Sequence, residues 1–178
     1  MIPTLDAAGE LPQALAPLVG SRLIHEIIVS DGGSRDATIA IARATGANVV
    51  AGPPGRGTQL TAGAALASGE WLLFLHADCR LMPGWEGAVA AFLAAPAAAE
   101  RGGYFVLALD DPHPAARRLG FGRTPAVIER HPLLALEAAA FVAPSAASLA
   151  RHDTGRHIHH PIMGRRWEHF KNIIQFRW

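Results

Sequence analysis

Apolar and polar positions along the first two-thirds of the chain alternate between two periods. Leu11, Leu15, Leu18 and Val19 recur at helical spacing and stop at Gly20, which predicts a first helix. Leu23 to Val29 is rich in branched apolar residues and runs into Ser30-Asp31-Gly32-Gly33, which predicts a strand entering a loop. Asp36 then caps a helix through Ala44, closed by Gly46. Asn48 to Ala51 reads as a short strand, Gly52 to Gly57 as a loop, and Thr58 as the cap of a helix to about Ala67. Trp71 to Leu75 is a continuous apolar run, the pattern of a strand buried on both faces of a parallel sheet. Pro83-Gly84 opens a helix to about Leu93, and Gly103 to Leu109 reads as another strand.

Strands and helices alternating at this spacing form βαβ units, so the expected fold is α/β, with a mostly parallel Rossmann-like sheet flanked by helices. Ligands bind such sheets beyond the carboxyl ends of the strands. Four places qualify: Pro3-Thr4, Asp31 to Ser34, Gly55-Arg56-Gly57, and His76-Ala77-Asp78. The first strand is short, because only Met1 and Ile2 precede Pro3.

Composition narrows the picture. The chain has 178 residues, 50% hydrophobic and 17% charged, enough for a core that needs no disulfide staple. Cys79 is the single cysteine, so no disulfide framework exists. The net charge of +1 hides an asymmetry: residues 1–111 carry six Arg against eleven acids, residues 112–178 ten Arg and Lys against four. Those basic residues are scattered, so no nucleic-acid partner is expected. The amino terminus lacks the basic and apolar regions of a secretory signal, and a cytoplasmic protein is the expectation. Residues 132–150 are apolar, but Glu137 and Pro144 argue against a membrane span. His152, His157, His159 and His160 fit no standard zinc spacing and read as a solvated tail. Trp167, Phe170, Ile173 and Ile174 lie at helical spacing, which suits a docked terminal helix, with peripheral membrane contact as the alternative.

Three constellations carry chemistry. Asp31, with glycines after it, either accepts hydrogen bonds from a base or ribose or tightens its own turn. Arg56 stands ahead of a helix start, an arrangement suited to phosphate; the alternative is a solvated surface arginine. Asp78, emerging after the most apolar strand with His76 two residues before it, suits Mg²⁺ or Mn²⁺ bridging two phosphates. The alternative there is a buried turn with His76 bonded to backbone. Cys79 reads as a small packing residue.

Together these motifs resemble family 2 glycosyltransferases of the GT-A fold, most nearly the compact bacterial rSAM/selenodomain-associated transferase 2 group, also called arsenosugar biosynthesis glycosyltransferases. The resemblance runs from Ile2 to about Arg118. It rests on Ile2-Pro-Thr-Leu-Asp6, Ile28 to Ser34 with Asp36, Gly55 to Gly63, and Leu73 to Leu81. It implies inverting transfer of a sugar from a nucleotide-diphosphate sugar donor to an acceptor. Pro3, Thr4 and Asp31 would line the base and ribose pocket, Arg56 and Gln59 would lie near the donor, and Asp78 with His76 would hold Mn²⁺ or Mg²⁺.

The sequence departs from that family in three ways. A full apolar strand normally precedes the Pro that stands here at position 3. Asp6 and Thr61 replace usual asparagines. The downstream Glu-Asp pair that supplies a general base has no counterpart, the likely place reading Pro161-Ile-Met-Gly-Arg-Arg166. Glu129 and Glu137 are available carboxylates that no motif supports, so the catalytic base is unassigned. The expected organisation is a nucleotide-sugar domain over 1–118 and a divergent, irregular or helical tail over 119–178, with a truncated or frame-altered origin. The expected behaviour is nucleotide binding with impaired transfer; a degenerate nucleotide-binding remnant and a nucleotidyltransferase are the alternatives.

Overall fold

The computed structural model describes residues 1–95, 103–105 and 140–145. Its elements are β1 (Ile2–Thr4), α1 (Leu11–Leu15), β2 (Ile28–Asp31), α2 (Thr38–Ala44), β3 (Asn48–Ala51), α3 (Arg56–Leu66), β4 (Trp71–Leu75), α4 (Trp85–Leu93), β5 (Gly103–Phe105) and β6 (Ala140–Pro144). The expected strand residues Val106–Leu109, the boundary at 118, Glu129, Glu137, the histidine cluster and the terminal aromatic stretch lie outside the described residues.

β1, β2 and β3 form a parallel sheet in the order β1-β2-β3, with Ile2 opposite Val29 and Val29 opposite Val49. β4, β6 and β5 form a second, antiparallel sheet in the order β4-β6-β5. Met1 joins the two. Its ammonium donates to the Leu73 carbonyl at 2.5 Å, and its carbonyl accepts from the Leu75 N–H at 3.0 Å. That alternation is the hydrogen-bond pattern of a parallel pair, so the six strands run β3-β2-β1-β4-β6-β5. The three-residue β1 is thus central.

The sheet divides its side chains by the strand period of two. Ile2, Val29 and Leu75 pack with Leu11, Leu15 and Leu18 and with Trp85, Val89 and Phe92 in one apolar cluster. Trp71 meets Phe92 edge to face, with ring centroids 5.8 Å apart. On the opposite face α3 lies against β1 and β2 with Gln59 and Gly63 as its buried residues.

Several boundaries differ from the sequence-based expectation. α1 stops at Leu15 and continues as turns to Gly20, because Pro17 lacks the N–H that the next helical bond needs. Leu18 still reaches the core, whereas Val19 is half exposed. β2 begins at Ile28 rather than Leu23 and extends through Asp31. Its partner β3 spans only Asn48–Ala51, and the ladder starts with the Asn48 N–H donating to the Ile27 carbonyl at 2.8 Å, which leaves residues 23–26 without a partner strand in β3. α2 ends as expected: Gly46 takes a φ of 79°, and the Ala47 N–H reaches back to the Ala42 carbonyl. α3 starts at Arg56, not at Thr58, since Gly55 turns the chain at a φ of 141° and its carbonyl accepts the Gln59 N–H. β4 is expected as a strand of the parallel part of a mostly parallel sheet, and it pairs antiparallel with β6 on one edge. β6 lies inside the stretch 132–150, where composition alone signals no strand.

Candidate functional site

The carboxyl ends of β1 and β4 and the start of α3 open onto one cleft of about 440 Å³. It is lined by Pro3, Thr4, Leu5, Asp6, Ala7 and Glu10 on one side, Arg56 and Gln59 on a second, and His76, Ala77 and Asp78 on a third. Six of the seven residues singled out from the sequence therefore meet here. The seventh, Asp31, lies beneath the cleft with no exposure.

Asp31 is held by a closed set of donors. One carboxylate oxygen accepts from the Thr4 hydroxyl at 3.0 Å and from the Ser34 hydroxyl. The other accepts the Gly33 and Ser34 N–H groups at 2.9 and 2.8 Å. Burial pushes the Asp31 carboxyl up, and the hydrogen bonds from Ser34, Gly33 and Thr4 more than offset it, holding the group below the usual carboxylate range. Asp31 thus fixes the turn after β2 and orients Thr4, which itself lines the cleft.

The wall after β1 is tied to the same region. Asp6 adopts a φ of 48°, its N–H donates to the Ser34 hydroxyl at 2.9 Å, and its carboxylate accepts the Arg35 N–H at 2.7 Å. An aspartate tolerates this left-handed geometry because its short side chain bonds locally. The Ala7 N–H donates to the Thr38 hydroxyl at 2.8 Å and the Ala8 N–H to Asp36 at 2.9 Å. Asp36 also accepts the Thr38 N–H at 2.9 Å, but it precedes the expected capping position: α2 starts at Thr38 with Ala37 as its N-cap, and the Ala37 carbonyl accepts the first helical bond, from Ile41.

Gln59 is buried, and its amide nitrogen donates to the Thr4 carbonyl at 2.6 Å and the Ser30 carbonyl at 2.8 Å. These bonds clamp the first turn of α3 to the ends of β1 and β2. Gly32 makes room for them: a Cβ there would lie 3.1 Å from the Gln59 amide nitrogen. Arg56, one turn earlier and exposed, is thereby carried to the cleft.

His76 Nδ1 lies 4.0 Å from Asp78 Oδ1, with side-chain exposures of 32% and 71%. Burial depresses the His76 imidazole, the Arg56 charge depresses it further, and Asp78 acts in the opposite sense. The imidazole is neutral at pH 7, so one ring nitrogen has a lone pair to offer. The Cys79 Sγ–H donates to Asp78 Oδ1 at 3.3 Å. Burial and the Asp78 carboxylate push the Cys79 thiol up to about 12. The ligand atoms of His76, Asp78 and Cys79 all lie within 4.8 Å of one another. Imidazole, carboxylate and thiol within this span form a donor set of a kind that holds divalent ions, with His76 and Asp78 on the cleft wall.

Sequence reasoning did not single out Leu5, Asp6, Ala7 or Glu10 as cleft residues. The rule that finds them is the one that found Pro3 and Thr4: they follow the carboxyl end of a strand.

A polar cleft at the carboxyl ends of β1 and β4, flanked by an arginine on a helix start and a His-x-Asp turn, is the arrangement of an α/β protein of GT-A type. The chain belongs to glycosyl transferase family 2, whose profile matches residues 1–125. Among solved structures it is similar to M. tuberculosis glucosyl-3-phosphoglycerate synthase, with 24% identity, a TM-score of 0.52, and coverage of 81% of this chain and 56% of that one. A structure of the same enzyme with Mn²⁺, UDP-glucose and phosphoglyceric acid gives 24% identity and a TM-score of 0.52, covering 81% and 55%. S. aureus TarS gives 24% identity and a TM-score of 0.46, covering 52% of this chain and 18% of that one. The chain thus spans between 18% and 56% of the length of these three structures. At this identity the likeness is one of fold. No curated protein matches the chain. The comparisons reach the family and not the narrower bacterial group that the motifs resemble. Among the described residues, no helix is long and apolar enough to cross a membrane.

Proposed function

We propose that the chain binds a nucleoside-diphosphate sugar in this cleft and transfers the sugar, with inversion, to an acceptor hydroxyl. The observation that carries the reading is the convergence of Arg56, His76 and Asp78, from separate elements, on one cleft beside Thr4. Pro3 and Thr4 face the base and ribose, with Asp31 acting from below by fixing Thr4. Gln59 sets the helix start, and Arg56 meets the diphosphate. His76 and Asp78 hold Mn²⁺ or Mg²⁺, which supplies positive charge to the departing diphosphate. In the reaction the acceptor oxygen bonds to the anomeric carbon, the anomeric C–O bond to the diphosphate breaks, and the hydroxyl proton passes to a base.

The fold and family support this reading, as does the presence of Mn²⁺ with UDP-glucose in the M. tuberculosis synthase. The absence of the Glu-Asp pair in the sequence after Arg118 supports binding stronger than turnover, and that observation favours the second reading, a nucleotide-binding remnant.

The test is a thermal melt with UDP, with and without Mn²⁺. Ligand at a hundred times its dissociation constant stabilises the fold by about 2.7 kcal/mol, a rise of several degrees. Asp78→Ala should remove the dependence on Mn²⁺. A melting temperature unmoved by UDP, GDP or any other nucleoside diphosphate with metal would overturn the proposal. Sugar transfer at ordinary enzymatic rates would refute the impairment alone.

A further inference from the structure

Asp31, the carboxylate expected to meet the base or ribose, is spent on its own turn. It has no exposure, and each of its oxygens already accepts two hydrogen bonds, from Thr4, Gly33 and Ser34. Among the described residues, three other carboxylates line the cleft: Asp6, Glu10 and Asp78. Asp6 accepts the Arg35 N–H, and Asp78 stands at the cation site. Glu10 is exposed, and its carboxylate has no hydrogen bond or ion pair among the described residues. We infer that Glu10 reads the nucleobase of the donor and selects guanine, so that the substrate is a guanosine-diphosphate sugar. This rests on the proposed binding of a nucleoside-diphosphate sugar in the cleft.

Placement supports it first. Glu10 shares a wall with Pro3 and Thr4, the side that faces the nucleoside, whereas the groups for diphosphate and cation stand on the other two. The backbone beneath Glu10 is held in advance. The Glu10 and Leu11 N–H groups donate to the Ala7 carbonyl at 3.3 and 2.9 Å. The Ala7 and Ala8 N–H groups are bonded in turn to Thr38 and Asp36. Only the Glu10 side-chain torsions are then left to order when a base arrives.

Chemistry supports it second. An ionised carboxylate accepts hydrogen bonds and donates none, and its two oxygens lie side by side. Guanine presents N1–H and the 2-amino group next to each other, so one carboxylate takes both in a pair of parallel bonds. No other common base offers two adjacent donors. Uracil sets its N3–H between two carbonyl oxygens, and adenine and cytosine set their amino groups beside a ring nitrogen lone pair. With each of these, one Glu10 oxygen gains a bond while the other faces a lone pair. The rejected bases therefore meet repulsion as well as a missing contact.

The test is calorimetric titration of the purified full chain, in Mn²⁺, with GDP, IDP and UDP. IDP is GDP without the 2-amino group. The wild type should bind GDP about tenfold more tightly than IDP or UDP, the scale on which a paired contact discriminates bases. That comparison needs no variant to fold. Glu10→Gln replaces one acceptor by a donor, an arrangement that suits the N3–H and O4 of uracil. It should erase the preference for GDP over UDP, whereas a merely structural role would move all three nucleotides together. Binding of UDP, ADP or CDP as tight as GDP, or an equal shift of all three in Glu10→Gln, would overturn the role of Glu10 and leave the nucleotide-sugar reading standing. Failure of every nucleoside diphosphate to bind with metal would overturn both.

Discussion

On one face of the sheet, α1 and α4 cover Ile2, Val29 and Leu75 with leucines, a valine and aromatic rings. On the other face, α3 approaches β1 and β2 with Gln59 and Gly63 as its buried residues. A Cβ at Gly63 would fall 2.1 Å from Met1 Sδ and 3.6 Å from Ile28 Cγ2, so this helix sits nearly against the strands. The first face is held by apolar area, which many side-chain combinations supply. The second is held by two directed hydrogen bonds that few side chains can make. Stability resides broadly on the first face, while the second sets the position of Arg56 and thus of the cleft.

The seam between the two sheets belongs to neither face, and the largest effect is expected there. Burial of the Met1 ammonium lowers its pKa from 8.0 to about 5, opposed by Glu26. Between these values the unfolded chain binds a proton that the folded chain releases, so stability rises with pH from about 5 to about 8. The full gain is present above pH 8. A shift of that size corresponds to at most ~4 kcal/mol. Urea unfolding across this window should show the rise for the free amino terminus and a much flatter profile after acetylation of Met1. Equal slopes for both forms would refute it.

Leu15→Ala, on the apolar face, should cost about 3 kcal/mol by leaving a cavity, while UDP affinity of the folded fraction stays within twofold. Gln59→Leu, on the α3 face, should cost about 2 kcal/mol, since it removes two buried hydrogen bonds, although the Thr4 carbonyl keeps the Gly32 N–H. It should also weaken UDP at least tenfold by loosening the helix start that carries Arg56. Calorimetric titration of both variants decides the matter: equal losses of affinity would mean that the faces do not divide the labour.

The same contrast explains what the sequence reveals. The period of apolar residues places β3, β4, α2 and α4 within a residue or two of their observed bounds, because burial on a helix or strand face leaves a direct trace in the sequence. The position rule for parallel sheets brings Pro3, Thr4, Arg56, His76 and Asp78 to one cleft. Gln59 is found through the family motif, but its role as a clamp on two carbonyls needs a backbone distance that no pattern encodes. Asp31 shows the same limit, since donors from Thr4, Gly33 and Ser34 distinguish a turn anchor from a ligand contact. β6 leaves no trace because its partner β4 lies some seventy residues away in the chain, a pairing set by tertiary contact.

The bonds linking Asp6, Ala7 and Ala8 to Ser34, Arg35, Asp36 and Thr38 have a mechanical consequence. They stitch the loop after β1 to the loop after β2, so that wall behaves as a stiff jaw whose shape is set before any ligand arrives. Little ordering cost then falls on that side when a nucleotide docks. The opposite jaw, the His76–Cys79 turn, is closed by its own bond from the Cys79 N–H to the His76 carbonyl at 3.2 Å, and no hydrogen bond among the described residues ties it to the first.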